Sequence, residues 1–275
     1  MMMRRLADIR CFLLDMDGTF YLGEQLLPGS LDFMRYLSHS GRDYLFLTNN
    51  SSRSAVFYAE KLTAMGWPAK PQDILTSGEA ACLYLARRHR AARVFLLGTP
   101  DLEAEFAAHG FTLTADAPDF VVLGFDKTLT YDKLTTACRL IRAGVPFIAT
   151  HPDINCPTED GFIPDCGAMT ELIAASTGVR PHIIGKPHRD IIDAVLAKTN
   201  CPASATAIVG DRLYTDIATG KNAGITSILV LSGETKAADL GSAAVAPDYI
   251  FADLGTLRLA LAADDQQEER LPVRG

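Results

Sequence analysis

No apolar run in this 275-residue chain approaches the length needed to cross a membrane. None of its six cysteines (11, 82, 138, 156, 166 and 201) forms a C-x-x-C pair. Scattered cysteines in a chain this long argue for reduced thiols in a cytosolic protein and against a disulfide framework. The opening MMMRRLADIRCFLLD has basic residues, but its short apolar run is cut by Asp8, Arg10 and Asp15, so no signal peptide is expected. Positive charge is also in short supply. With 26 Lys and Arg against 33 Asp and Glu, the net charge of −7 argues against a nucleic-acid surface. It leaves anionic small molecules open, because the field of a site is local. No G-x-G-x-x-G follows the first apolar run, and two aspartates there would repel a pyrophosphate, which disfavours a nucleotide-dependent dehydrogenase. No G-x-S-x-G elbow points to a serine hydrolase. Internal repeats and low-complexity segments are lacking as well.

What the chain does have is an ordinary globular balance, 48% hydrophobic and 21% charged, and enough length to bury a full core. Short apolar runs alternate with helical patterns, which predicts an α/β protein with a largely parallel, Rossmann-like sheet core. Strands are expected at 10–14, 44–47, 74–75, 183–184, 207–209, 227–231 and 249–251, and helices near 29–40, 52–65 and 78–90. An inner segment repeats the alternation, with strands at 94–97, 120–123 and 147–149 and helices at 131–143 and 168–177. This predicts an inserted α/β domain at 92–181, flanked by core segments 1–91 and 182–262. The polar tail 263–275 is expected to be frayed.

Four core strands are predicted to end in polar residues: CFLLD in Asp15, YLFLT in Thr48, HIIGK in Lys186 and AIVGD in Asp211. In an open parallel sheet the carboxyl ends of the strands share one edge, where ligands bind. Asp15 and Asp17 lie two residues apart and so face one side of an extended segment, and Gly18 permits a tight turn. Paired carboxylates repel one another, and a hard cation such as Mg²⁺ relieves the repulsion; a turn or cap role is the plainer alternative. After Thr48 come Asn49, Asn50, Ser51 and Ser52, residues that suit either the N-cap of a helix or an anion cradle. Lys186 would balance charge beside a phosphate, or would simply be solvated. Asp211 is placed to ligate a metal, and Asp216 to reach the same site or orient Lys186.

These motifs, DMDGT, the threonine of FLTNNSS, the lysine of GKPH and GDRLYTD, resemble the haloacid dehalogenase superfamily of aspartyl phosphotransferases. TSGEA, VVLGFD, LTYDKL and ATHPD are further similar to its NagD-like, class IIA capped phosphatases, and the likeness spans nearly the whole chain apart from its tails. The resemblance implies a Mg²⁺-dependent phosphomonoesterase acting on a small phosphorylated metabolite. It implies Asp15 as nucleophile, and Asp17 as general acid and then base. Mg²⁺ would sit on Asp15, the Asp17 backbone carbonyl and Asp211, with Asp216 in support. Thr48, Asn49 and amides near Asn50 would hold the phosphoryl oxygens together with Lys186. The 92–181 insertion would be a cap, and His151, Asp153 and Asp165 in ATHPDINCPTEDGFIPDCGAM would be its substrate-reading candidates, with turn capping as the other reading of them. His151, Cys156 and Cys166 lack zinc spacing. A phosphomutase-like transferase and a non-catalytic phosphometabolite sensor are the rival functions. The oligomeric state stays open, a homodimer included, and neither nucleic acid nor membrane is expected as a partner.

Overall fold

The structure, a computed structural model, describes residues 4–158 and 160–269. By contacts the chain divides into two compact units. One comprises the residues up to Leu47, Ala59–Asp73 and those from Leu196 onward; the other comprises Thr48–Tyr58 and Ile74–Val195.

In the first unit parallel strands follow the order Tyr249–Phe251, Thr226–Val230, Thr206–Gly210, Cys11–Leu14 and Asp43–Thr48. The segments CFLL, TAIVG and TSILV are buried at every residue. Unbroken apolar runs of this kind are what a parallel sheet covered on both faces demands. Leu14 pairs with Val209 on one side and Phe46 on the other, and the Asp15 amide donates to the Val209 carbonyl at 2.9 Å. The strands carrying Asp15 and Asp211 therefore finish almost level.

Helix Ser30–His39 buries Phe33, Met34 and Leu37, one face at helical spacing, and packs against helix Leu254–Glu269. That second helix runs well past Ala263, where fraying was expected. Its polar residues have distant partners: Asp265 accepts two bonds from the buried Arg42, at 2.6 and 2.9 Å, and one from the Tyr36 hydroxyl at 2.5 Å. Asp264 accepts from the Ala7 amide at 2.8 Å. Residues 270–275 of the expected tail lie outside the described residues.

The second unit has its own parallel sheet, in the order His182–Ile183, Phe147–Ala149, Phe120–Leu123, Arg93–Leu97 and Thr112–Leu113. Helices Tyr131–Arg142 and Cys166–Thr177 cover it over a core that includes Val121, Leu123, Ile141, Phe147 and Ile173. Here the structure corrects an expectation. The strand before Lys186 was assigned to the core sheet, but it pairs with Phe147–Ala149 in the second one. A two-residue apolar strand fits either sheet, and only the pairing decides. Helix Ser77–Ala86, also assigned to the core, packs on helix Pro100–Ala108, and Thr76 Oγ1 donates to Glu105 at 3.4 Å. Helix Pro100–Ala108 was not anticipated, although Thr99 before Pro100 is a cap-and-start signal. Nor was the hairpin of Asn155–Thr158 and Gly161–Pro164. Among the described residues no helix is long and apolar enough to cross a membrane.

The Arg42–Asp265 pair yields a stability prediction. Burial pushes the Asp265 carboxyl up, but hydrogen bonds from Arg42 and Tyr36 outweigh it and hold it below the usual carboxylate value. Asp265→Ala should cost about 2–3 kcal/mol near neutral pH by stranding the buried guanidinium. A depressed native pKa contributes stability that is present above the unfolded value and lost as pH falls through the folded one. The gap between wild type and variant should therefore narrow in acid. Urea unfolding can be followed through the single tryptophan, Trp67, which lies in this unit edge-on to Tyr44 at 5.8 Å. Equal midpoints at pH 7 would rule the pair out as a stabilising contact.

Candidate active site

Three carboxylates gather at the carboxyl edge of the first unit's sheet. Asp15, Asp211 and Asp216 each offer an oxygen, and these oxygens all lie within 4.8 Å of one another. Asp15 is half-buried, whereas Asp211 and Asp216 are 1% and 0% exposed. Asp211 is held by close backbone: its Oδ2 accepts from the Glu234 amide at 2.6 Å. A Cβ on Gly233 would lie 2.0 Å from that oxygen, and one on Gly18 2.4 Å from it. Gly18 also has φ +86°, so both its space and its backbone require glycine. Asp216 sits in a wide π-type turn, Leu213–Ile217, and its Oδ2 accepts from the Arg212 amide at 3.2 Å. Burial works against the charge of Arg212, but Tyr214, Asp15, Asp211 and Glu234 overcome it and raise its pKa; Glu234 lies 3.0 Å from its Nε. Asp17 is not a member of that group. It is exposed, in a bridge to Tyr21, with the Gly18 amide closing the turn onto the Tyr21 carbonyl at 2.7 Å.

The second unit carries the remaining expected residues. Thr48 Oγ1 accepts from the Asn50 amide at 3.1 Å, and Asn50 Oδ1 accepts from the Ser52 amide at 2.9 Å and hydroxyl at 2.8 Å. Asn49 is buried, and its side chain is bonded to Lys186 and Asp153. Lys186 is 3% exposed. His151 has no exposed surface. Its Nδ1 lies 3.0 Å from Thr150 Oγ1 and 3.3 Å from Ser77 Oγ, and its Nε2 2.9 Å from Asp165 Oδ1. Asp165 also caps helix Cys166–Thr177, accepting from the Cys166 amide at 2.6 Å. Asp165 thus serves as a helix cap, and His151 is fully buried. His151, Asp153 and Asp165 also bring ligand atoms within 4.8 Å of one another, and hydrogen bonds to Asn49 and between His151 and Asp165 account for that grouping.

Residues 12–112 match the profile of haloacid dehalogenase-like hydrolases, and residues 183–257 a HAD-hydrolase-like profile. An acid sugar phosphatase of Staphylococcus epidermidis is 37% identical over 246 residues, 89% of this chain and 95% of that protein. The chain belongs to the haloacid dehalogenase-like hydrolases. Among solved structures, the 4-nitrophenylphosphatase of Thermotoga maritima is 50% identical, with a TM-score of 0.90 over 93% of this chain and 98% of its own. The glycerol phosphate phosphatase of Mycobacterium tuberculosis in complex with magnesium is 36% identical, with a TM-score of 0.85 over 93% of this chain and 78% of its own. Within the family this hydrolase is a NagD-like phosphatase.

The donor set of this phosphatase suits a hard divalent cation. It is all oxygen and anionic, and glycines lie close against Asp211 and Asp216. Asp15, Asp211 and Asp216 are brought together, and Asp216, expected in support, offers its own oxygen to the cluster. Sequence reasoning missed Arg212 and Glu234, and it missed Ser77, whose hydroxyl donates to the Asn49 carbonyl. Arg212 and Ser77 lay inside motifs already singled out, GDRLYTD and TSGEA, but nothing local to those motifs names their partners.

His151 supplies the pH prediction for this subsection. Burial alone would lower its pKa, but the charge and hydrogen bond of Asp165, helped by Asp153, override burial and the opposing charge of Lys186 and raise it. A group whose folded pKa lies above its unfolded value gives stability below about pH 6.5 that is lost as pH rises through the folded pKa. Asp165→Asn keeps a capping oxygen and removes the charge. The His151 titration midpoint, followed by its Cε1–H resonance, should drop below the ordinary histidine value in that variant. An unmoved midpoint would exclude Asp165 as the cause.

Proposed function

We propose that this phosphatase is a Mg²⁺-dependent phosphomonoesterase for small phosphorylated metabolites, with Asp15 as a covalent nucleophile. The observation that carries the reading is the convergence of Asp15, Asp211 and Asp216 at the sheet edge, all within 4.8 Å. The relatives named acid sugar phosphatase and glycerol phosphate phosphatase support phosphorylated sugars and polyols as the substrate class.

In this reading an Asp15 carboxylate oxygen attacks phosphorus, an O–P bond forms, and the bond from phosphorus to the substrate oxygen breaks. Asp17 gives its proton to that departing oxygen, releasing the alcohol. Asp17, now ionised, takes a proton from a water molecule, whose oxygen attacks phosphorus. Inorganic phosphate leaves, and Asp15 regains its carboxylate. The exposure of Asp17 suits a group that exchanges protons with water and leaving group. Thr48 would donate its hydroxyl hydrogen to a phosphoryl oxygen, and Lys186 would offset phosphoryl charge. A divalent cation held by Asp15, Asp211 and Asp216, with the Asp17 carbonyl, would supply neutralisation of the phosphoryl oxygens.

The test is phosphate release from a panel of sugar phosphates, glycerol phosphate, nucleoside monophosphates and 4-nitrophenyl phosphate. Turnover should vanish with chelator and return with Mg²⁺. Asp15→Asn should lower kcat by at least about 10³-fold. A wild-type rate in that variant would end the nucleophile assignment, and a phosphorylated isomer in place of free phosphate would make the protein a transferase. Gly233→Ala would push a methyl into Asp211, so the Mg²⁺ concentration for half-maximal activity should rise by about 10-fold or more. An unchanged Mg²⁺ requirement would remove Asp211 from the metal site.

A further inference from the structure

Asn49 stands next to Thr48, and its side chain makes three hydrogen bonds within the second unit. Its Oδ1 accepts from the Lys186 amide at 2.8 Å, and its Nδ2 donates to the Lys186 carbonyl at 3.0 Å and to Asp153 Oδ1 at 3.0 Å. A backbone N–H only donates and a carbonyl only accepts, so the two bonds to Lys186 fix which end of the amide is which. Both hydrogens on Nδ2 are engaged, which leaves that nitrogen no hydrogen for a phosphate. The carbonyl of Asn49 accepts from the Ser77 hydroxyl, and Ser77 Oγ lies 3.3 Å from the buried His151. Gly185 leaves the clamp no slack: a Cβ there would lie 2.6 Å from the Thr150 carbonyl and 2.7 Å from Asn49 Oδ1.

We propose that Asn49 is a positioning residue: its side-chain amide clamps the backbone of Lys186, and through it the place of the lysine ammonium, and is not itself a phosphate ligand. Lysine ends in a point charge on a flexible stem, so where its backbone is held limits where that charge can reach. Misplacing such a group by about 1 Å costs on the order of 10²-fold in rate. The proposal rests on the role given to Lys186 above.

A double-mutant cycle with 4-nitrophenyl phosphate and Mg²⁺ tests it. Asn49→Ala should lower kcat by about 10- to 100-fold in the wild type, but by less than about threefold in a Lys186→Met background. Equal losses in both backgrounds would overturn the proposal. A second readout needs no turnover, namely amide hydrogen exchange at Lys186. In Asn49→Ala this amide should exchange about 10-fold faster or more, while amides of the Phe120–Leu123 strand keep their rates. Unchanged exchange at Lys186 overturns the clamp whatever the activity. Asn49→Gln keeps the donors and acceptor but displaces them by one methylene, so it covers the case of an alanine variant that does not fold. It should show faster exchange at Lys186 and a lower kcat than the wild type, and wild-type behaviour in both readouts also overturns the clamp. A wild-type rate in Lys186→Met would instead remove Lys186 from the reaction, leaving exchange to judge Asn49.

Discussion

Mutual repulsion among Asp15, Asp211 and Asp216 is the constraint around which the first unit is built. Two unit charges about 5 Å apart at an effective dielectric near 20 repel by roughly 3 kcal/mol, so three of them form a site that folding must hold together by force of structure. Two parallel strands supply it by ending almost level, with Leu14 opposite Val209. The Glu234 amide fixes Asp211, the Arg212 amide fixes Asp216, and glycines at 18 and 233 let backbone approach where any side chain would collide. Arg212 offsets part of the negative charge and lies 3.0 Å from Glu234. A site so arranged binds a hard cation because the cation relieves what the fold has compressed.

The second unit solves a different problem, that of giving the buried polar groups around Asn49 and His151 hydrogen-bond partners. Its solution is a chain of side chains whose donors and acceptors alternate. The Ser77 hydroxyl serves the Asn49 carbonyl, Asn49 serves both backbone groups of Lys186, and His151 is held between Thr150 and Asp165. Buried polar groups linked in this way rigidify their surroundings, since moving one strands the next. That explains how a segment such as ATHPD, open and Pro-containing in sequence, is buried at Thr150 and His151.

Much of this was legible from residues alone. The strands Phe120–Leu123, Phe147–Ala149 and Tyr249–Phe251 coincide with their predicted spans, since each is a short apolar run bounded by turn residues. Asp15 and Asp211 were picked out because a buried strand has no packing reason to end in a carboxylate. Less was legible where a residue's role depends on a partner far along the chain. His151 and Asp165 read as either substrate-facing or turn-capping loop residues, and the structure buries both and bonds them to each other. Asp264 and Asp265 looked like a frayed tail, yet Ala7 and Arg42, more than 200 positions earlier, hold them.

The sequence by itself determined most of the local matters: many of the strands and helices, which strand ends carry charge, and the glycine that frees the backbone after Asp17. These follow from side-chain period, capping chemistry and backbone sterics, all of which act over a few residues. Only the tertiary structure decided that His182–Ile183 joins the second sheet, that Asp216 shares the cluster of Asp15 and Asp211, and that Asn49 binds Lys186. A two-residue strand has no pattern that selects a neighbour. An asparagine can bond to almost any polar group, and which one it meets is settled only when distant segments pack.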